Sequence, residues 1–146
     1  MRRVRSSKVL VLGNQVGAIE KGFLIYLGIH RDDTHADLLW LIKKILGLRI
    51  FEGPDGRMSQ SINSSHGVLL ISQFTLFGNL RKGCRPSFNH AADPARSKVL
   101  YEEALSQIKT EFGGKVASGI FAADMQVHAV DDGPVSIWID SQNPNY

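Results

Sequence analysis

The chain has 146 residues, 43% hydrophobic and 21% charged, with a formal net charge of +3. That composition suits one compact globular domain with a real core and excludes a disordered or collagen-like chain. The mild positive charge is compatible with a phosphate-bearing partner but does not by itself demonstrate one. Cys84 is the only cysteine, so no intramolecular disulfide is possible, which leans toward a reducing compartment.

In chain order, MRRVRSSKVLVLG carries positive charge but no apolar stretch of signal-peptide length,. Val9–Leu12, a turn at Gly13-Asn14, then Val16–Glu20 predict a short hairpin. The apolar run 22–29 predicts a central strand buried on both faces and is far too short to span a membrane. Asp32, Asp33 and Thr34 offer N-cap oxygens to a helix whose apolar positions are Leu38, Leu39, Leu41, Ile42, Ile45 and Leu46, with Gly47 as a stop. Leu48–Phe51 predicts a short strand ended by Gly53-Pro54-Asp55-Gly56, and 57–66 a polar loop.

Residues 67–78 then predict a buried strand interrupted by Ser72, Gln73 and Thr75. Polar groups on both faces of such a strand cost free energy unless they are hydrogen-bonded. They either bond neighbouring backbone at a strand end or line a functional site. A basic loop with Arg81, Lys82 and Arg85 follows. Asp93-Pro94 predicts a helix start with a capping carboxylate and proline at the first position; Tyr101, Leu105, Ile108 and Phe112 mark its buried face. Met125–Val130 and Val135–Asp140 predict two strands around Asp131-Asp132-Gly133-Pro134. That connection is either a hairpin turn or a rigid probe presenting two carbonyl oxygens. The expected fold is α+β: a mostly antiparallel sheet or partial β-barrel covered by two helices, in a single cytoplasmic domain spanning 1–146.

His30, His35, His66, His90 and His128 form no HExxH arrangement, and Cys84 has no partner thiol; neither a metal nor a cofactor is expected. Glycine-rich phosphate loops and a GxSxG elbow are missing as well.

Ser72-Gln73-Phe74-Thr75-Leu76 matches the SQ-x-T-L motif, and Gly133-Pro134 within 131–136 the centre of the N-x-G-P-x-T motif, of the D-aminoacyl-tRNA deacylase family. The segments 16–24, 83–88 and Phe121-Ala122-Ala123-Asp124-Met125 also resemble it, so the resemblance runs in order over nearly the whole chain. It departs where Asp131 replaces the family's asparagine and Ser136 its threonine. The family also has a few more apolar residues ahead of the segment aligned with Arg2-Arg3-Val4, so the first strand is expected to start short.

The resemblance implies a homodimeric ester hydrolase acting on the aminoacylated 3′ adenosine of tRNA, with neither DNA nor membrane as partner. Ser72, Gln73, Phe74 and Thr75 would line the catalytic pocket, with Phe121 and Met125 supporting. Gly133 and Pro134, joined by a cis bond, would enter the other subunit's pocket as a chiral filter. Arg3 would steady that loop and offset the charge of Asp131. Arg81, Lys82 and Arg85 are expected to meet RNA. Two rivals remain: a related editing deacylase with a trans Gly-Pro bond and an altered filter, and a non-catalytic nucleic-acid-binding dimer of the same fold.

Overall fold

The computed structural model describes residues 1–144. Strand β1, Arg2–Val11, runs ten residues and turns Val4, Ser7 and Val9 inward. It pairs with β2, Asn14–Ile19, through a two-residue turn of Leu12 and Gly13, at φ 50° and 79°. The turn lies one residue earlier than expected, because Asn14 already pairs with Val11. Strand β3, Gly22–Leu27, is buried almost throughout. Helix α1, His35–Gly47, starts at Thr34, where Thr34 and Asp37 form a reciprocal capping box,.

The next region corrects two expectations. The short strand β4 is Phe51–Glu52, later than predicted, and it pairs with β5, Met58–Gln60, inside the segment expected to be loop. Strand β6, Gly67–Ser72, runs parallel to β3. It stops at Ser72, and residues Phe74–Phe77 form a 3-10 turn rather than more strand. Gln73, at φ −148° and ψ 82°, breaks the extended run.

Helix α2, Pro94–Glu111, is capped by Asp93, whose Oδ1 accepts from the Ala95 and Arg96 amides at 3.0 and 3.1 Å. Strand β7, Lys115–Ser118, was not anticipated; it extends the sheet parallel to β6. Strand β8, Gln126–Ser136, is one continuous element, so the two strands expected at Met125–Val130 and Val135–Asp140 are joined through 131–134 and end at Ser136. It pairs antiparallel with β1 over that strand's length.

The main sheet has the order β2-β1-β3-β6-β7, with β8 also paired to β1. Antiparallel pairs predominate, but β3-β6-β7 is a parallel block. The sheet curls until β2 meets β7, where Gly17 is required: a Cβ there would lie 2.6 Å from the Ser118 carbonyl oxygen. The result is a nearly closed barrel-like sheet with two helices, an α+β fold.

Two cores explain the unbroken apolar strands. Phe23, Ile25, Val68 and Leu70 face Ile42, Ala104 and Ile108 of the helices. Leu24, Leu69 and Ile71 face the barrel interior with Val4, Val9 and Ile19. Strands buried on both faces must be apolar on both, which is why period-two alternation is missing there. Among the described residues, no helix is long and apolar enough to cross a membrane.

Candidate functional site

A cleft of about 550 Å³ opens where β6 ends, between the start of α2 and the turn after β7. Ser72, Gln73, Phe74, Phe121 and Met125 all line it, so five of the expected residues meet in one place. The end of β6 creates this wall. The Gln73 amide donates to the Leu27 carbonyl at 2.8 Å, after which the chain leaves the ladder and turns. As the first residues of that turn, Phe74 and Thr75 have N–H groups ahead of the first i→i+3 bond,.

Thr75 is adjacent to the cleft but exposed. Its hydroxyl accepts a hydrogen bond from the Gln73 side-chain amide. An amide donor is no general base, so this contact does not activate a nucleophile. The residues lining the cleft include no Asp, Glu, His, Lys or Arg. Its chemistry therefore rests on shape, aromatic walls and hydrogen bonds.

Sequence reasoning missed several of those walls as site residues. Phe88 packs edge-on against Phe74, with ring centroids 5.1 Å apart. Tyr101, read as helix core, also lines the cleft, with its ring 5.8 Å from that of Phe121. Its hydroxyl donates to the Leu70 carbonyl at 2.9 Å, and burial pushes its pKa up to about 12. Tyr101 thus ties α2 to the floor strand as a neutral phenol. Gly119 seats Met125, because a Cβ there would fall 2.4 Å from the Met125 sulfur. Ala122 lines the cleft at φ 61°, a conformation that disfavours any Cβ,.

The Gly133-Pro134 pair sits elsewhere. In the β1–β8 ladder Arg3 faces Val135 and Val4 faces Asp131, so residues 132–134 bulge out of the strand. The Gly133–Pro134 bond is cis, as expected, and both residues are exposed.

Arg3 lies beneath this tip and is 6% exposed. Its Nε donates to the Asp132 carbonyl at 3.1 Å and lies 3.3 Å from the Asp132 carboxylate, and Nη1 donates to the Ile50 carbonyl. Arg3 therefore steadies the loop but does not pair with Asp131. Arg2 pairs with Asp131 instead, and the other Asp131 oxygen is buried without a partner among the described residues. Ser136 lies opposite Arg2 at the end of β8. None of Arg3, Asp131, Gly133, Pro134 or Ser136 lines the cleft of its own chain; cleft and tip stand at opposite ends of β8.

The 74–77 turn separates two hollows. Phe74 lines the first, whereas Leu76, Phe77 and the exposed Trp138 line a second of about 650 Å³. Arg81, Lys82 and Arg85 line a separate surface hollow of about 520 Å³. Among the described residues, no group of three or more His, Cys, Asp or Glu is placed to hold a metal ion.

The sequence pattern of the D-Tyr-tRNA(Tyr) deacylase family matches residues 1–140. A protein of Thermotoga petrophila named D-aminoacyl-tRNA deacylase is 49% identical, covering 97% of this chain and 95% of its own. One of Opitutus terrae with the same name is also 49% identical, with the same coverage. Among solved structures, a c-Myc DNA unwinding element binding protein superposes with a TM-score of 0.86 at 38% identity, over 93% of each chain. A probable eukaryotic D-amino acid tRNA deacylase reaches 0.75 at 17% identity, over 91% of this chain and 92% of its own, which bears on the fold alone.

Proposed function

The chain belongs to the D-Tyr-tRNA(Tyr) deacylase family, and from that premise we propose how its two separated features work together. The protein is an aminoacyl-tRNA ester hydrolase that releases the amino acid from D-aminoacyl-tRNA. The 3′-terminal adenosine enters the cleft between Phe74, Phe88 and Phe121, where aromatic walls hold a base by stacking. The ester then lies at the Ser72–Thr75 stretch. Water attacks the ester carbonyl carbon, the carbon–oxygen bond to the ribose breaks, and the ribose oxygen takes a proton as the amino acid leaves.

The observation that carries this reading is a cleft lined by aromatic rings and the Ser72–Phe74 stretch, with no Asp, Glu, His, Lys or Arg among its described lining residues. Aminoacyl esters are already activated, so positioning and hydrogen bonds to the developing oxyanion suffice. The Gln73 amide is occupied by Leu27, which leaves the amides of Phe74 and Thr75 as oxyanion donors.

Chirality is read by the Gly133-Pro134 tip of a second copy. In a two-fold dimer each tip enters the opposite cleft reciprocally. Three observations support this. The tip is exposed, Arg3 braces it, and it does not line the cleft of its own chain. The second copy also covers the hollow lined by Leu76, Phe77 and Trp138. Backbone carbonyls of the tip then face the substrate's α-carbon, colliding with an L side chain while a D side chain points away. Glycine has nothing to collide, so glycyl-tRNA is cleaved too. The amino-acid side chain lies toward solvent and is read weakly.

Deacylation by purified protein tests the activity. The expected products are free D-amino acid and intact tRNA, from D-aminoacyl-tRNA and glycyl-tRNA alike. Retention of nucleic acid without release of amino acid would favour the non-catalytic reading suggested by the DNA-element-binding name of one structural relative.

A further inference from the structure

The loop Leu80–Pro86 carries three cations that nothing in the proposed chemistry uses. Its base is closed by a reciprocal pair of hydrogen bonds: the Asn79 amide donates to the Ser87 carbonyl at 2.8 Å, and the Ser87 amide donates back at 3.0 Å. The Asn79 side chain also accepts from the Arg81 amide at 2.9 Å. Gly83, at φ 78°, lets the chain reverse at the apex. Arg81, Lys82 and Arg85 are exposed, and none takes part in an ion pair among the described residues. The hollow they line holds only neutral neighbours, Asn79, Ser87 and Asn89. This is a tethered loop whose positive charge is left unneutralised.

Its position gives that charge a meaning. Phe88 follows Ser87 directly and packs edge-on against Phe74 in the cleft wall. The loop therefore rises from the rim of the cleft. Resting on the reading that the terminal adenosine occupies this cleft, we infer that Leu80–Pro86 is a phosphate clamp for the nucleotides 5′ of that adenosine. The two guanidinium groups offer paired donors to phosphate oxygens and Lys82 a mobile point charge. At physiological salt the Debye length is about 8 Å, so charges at the rim act on the nearest phosphates with little screening. The clamp lets the protein prefer an acceptor end over a free aminoacyl nucleoside, which carries no such phosphates.

The test compares two substrates, D-tyrosyl-tRNA and the D-tyrosyl ester of adenosine, for the wild type and for a variant combining Arg81→Ala, Lys82→Ala and Arg85→Ala. The ratio of their kcat/KM values, tRNA over nucleoside ester, falls at least tenfold in the variant. The dependence of tRNA affinity on salt flattens by about 2 in log–log slope, near 0.7 per lost contact to a single strand. A second variant, Arg81→Lys with Arg85→Lys, keeps the charge and recovers most of the ratio. A ratio that stays within twofold, or a salt slope that does not change, overturns the clamp while leaving the cleft assignment standing. A fall in the ratio that the lysine variant fails to recover, with a lowered melting temperature, also overturns it, because the loop is then structural. If the wild type cleaves neither substrate, the cleft assignment fails and the clamp with it.

Discussion

Thr75 carries the sharpest test at the scale of single residues. Its hydroxyl accepts from the Gln73 amide, so Thr75→Ala should keep substantial activity in a single-turnover deacylation assay. A loss approaching the ~10⁶ seen when a true nucleophile is removed would contradict the mechanism. Ala122 tests turn chemistry. At φ 61° its Cβ costs about 1–2 kcal/mol that a glycine avoids. Ala122→Gly should therefore raise the melting temperature by about 2–5 °C, measured by calorimetry; an unchanged or lower value would show that the alanine pays for itself in packing. The polar residues of Ser72–Thr75 were legible because hydroxyls and an amide in an apolar run demand a reason. Phe88 and Tyr101 were not, since an aromatic residue reads the same whether it fills a core or walls a cleft. Ala122 was equally silent, because only a backbone angle marks it.

At the scale of elements, the β1–β8 ladder explains the tip. Arg3 is buried and bonds two carbonyls besides its pair with Asp132. Arg3→Ala removes the donor to two carbonyls and leaves the partly buried Asp132 carboxylate only the exposed Arg5, and should cost about 3 kcal/mol in denaturant unfolding,. Arg5 also reaches Asp132, at 3.3 Å, but its side chain is 74% exposed, so Arg5→Ala should cost under about 1 kcal/mol. Equal losses for the two would refute the brace. Tyr101 makes a pH prediction. Its folded pKa is raised from 10.0 to about 12 by burial, so the folded state holds a proton that the unfolded state releases. Stability should then fall as pH rises from 10 to 12, and Tyr101→Phe should remove that part of the fall. Helices and their caps were legible because Thr34, Asp93 and Pro94 are local signals. The bulge in β8 was not, because Asp-Gly-Pro has hairpin chemistry and only the partner strand β1 keeps the chain straight. Strand β7 escaped for a similar reason, as an exposed lysine followed by three half-buried residues shows no period.

At the scale of the whole molecule, the α+β class and the barrel-like sheet followed from apolar runs and helix periodicity. The parallel β3-β6-β7 block did not, since strand direction depends on how crossovers pack rather than on composition. Nor does one chain complete the proposed site: cleft and tip lie at opposite ends of β8, and the proposal brings them together through a second copy. The protein should therefore sediment as a dimer at assay concentrations, and a monomer active at full rate would refute the shared site. The most direct measurement is kcat/KM on D-tyrosyl-tRNA and L-tyrosyl-tRNA, matched in every respect but the chirality of the amino acid. The D substrate should be cleaved efficiently and the L substrate spared, whereas comparable values for the two would contradict the backbone filter on which this account of the site depends.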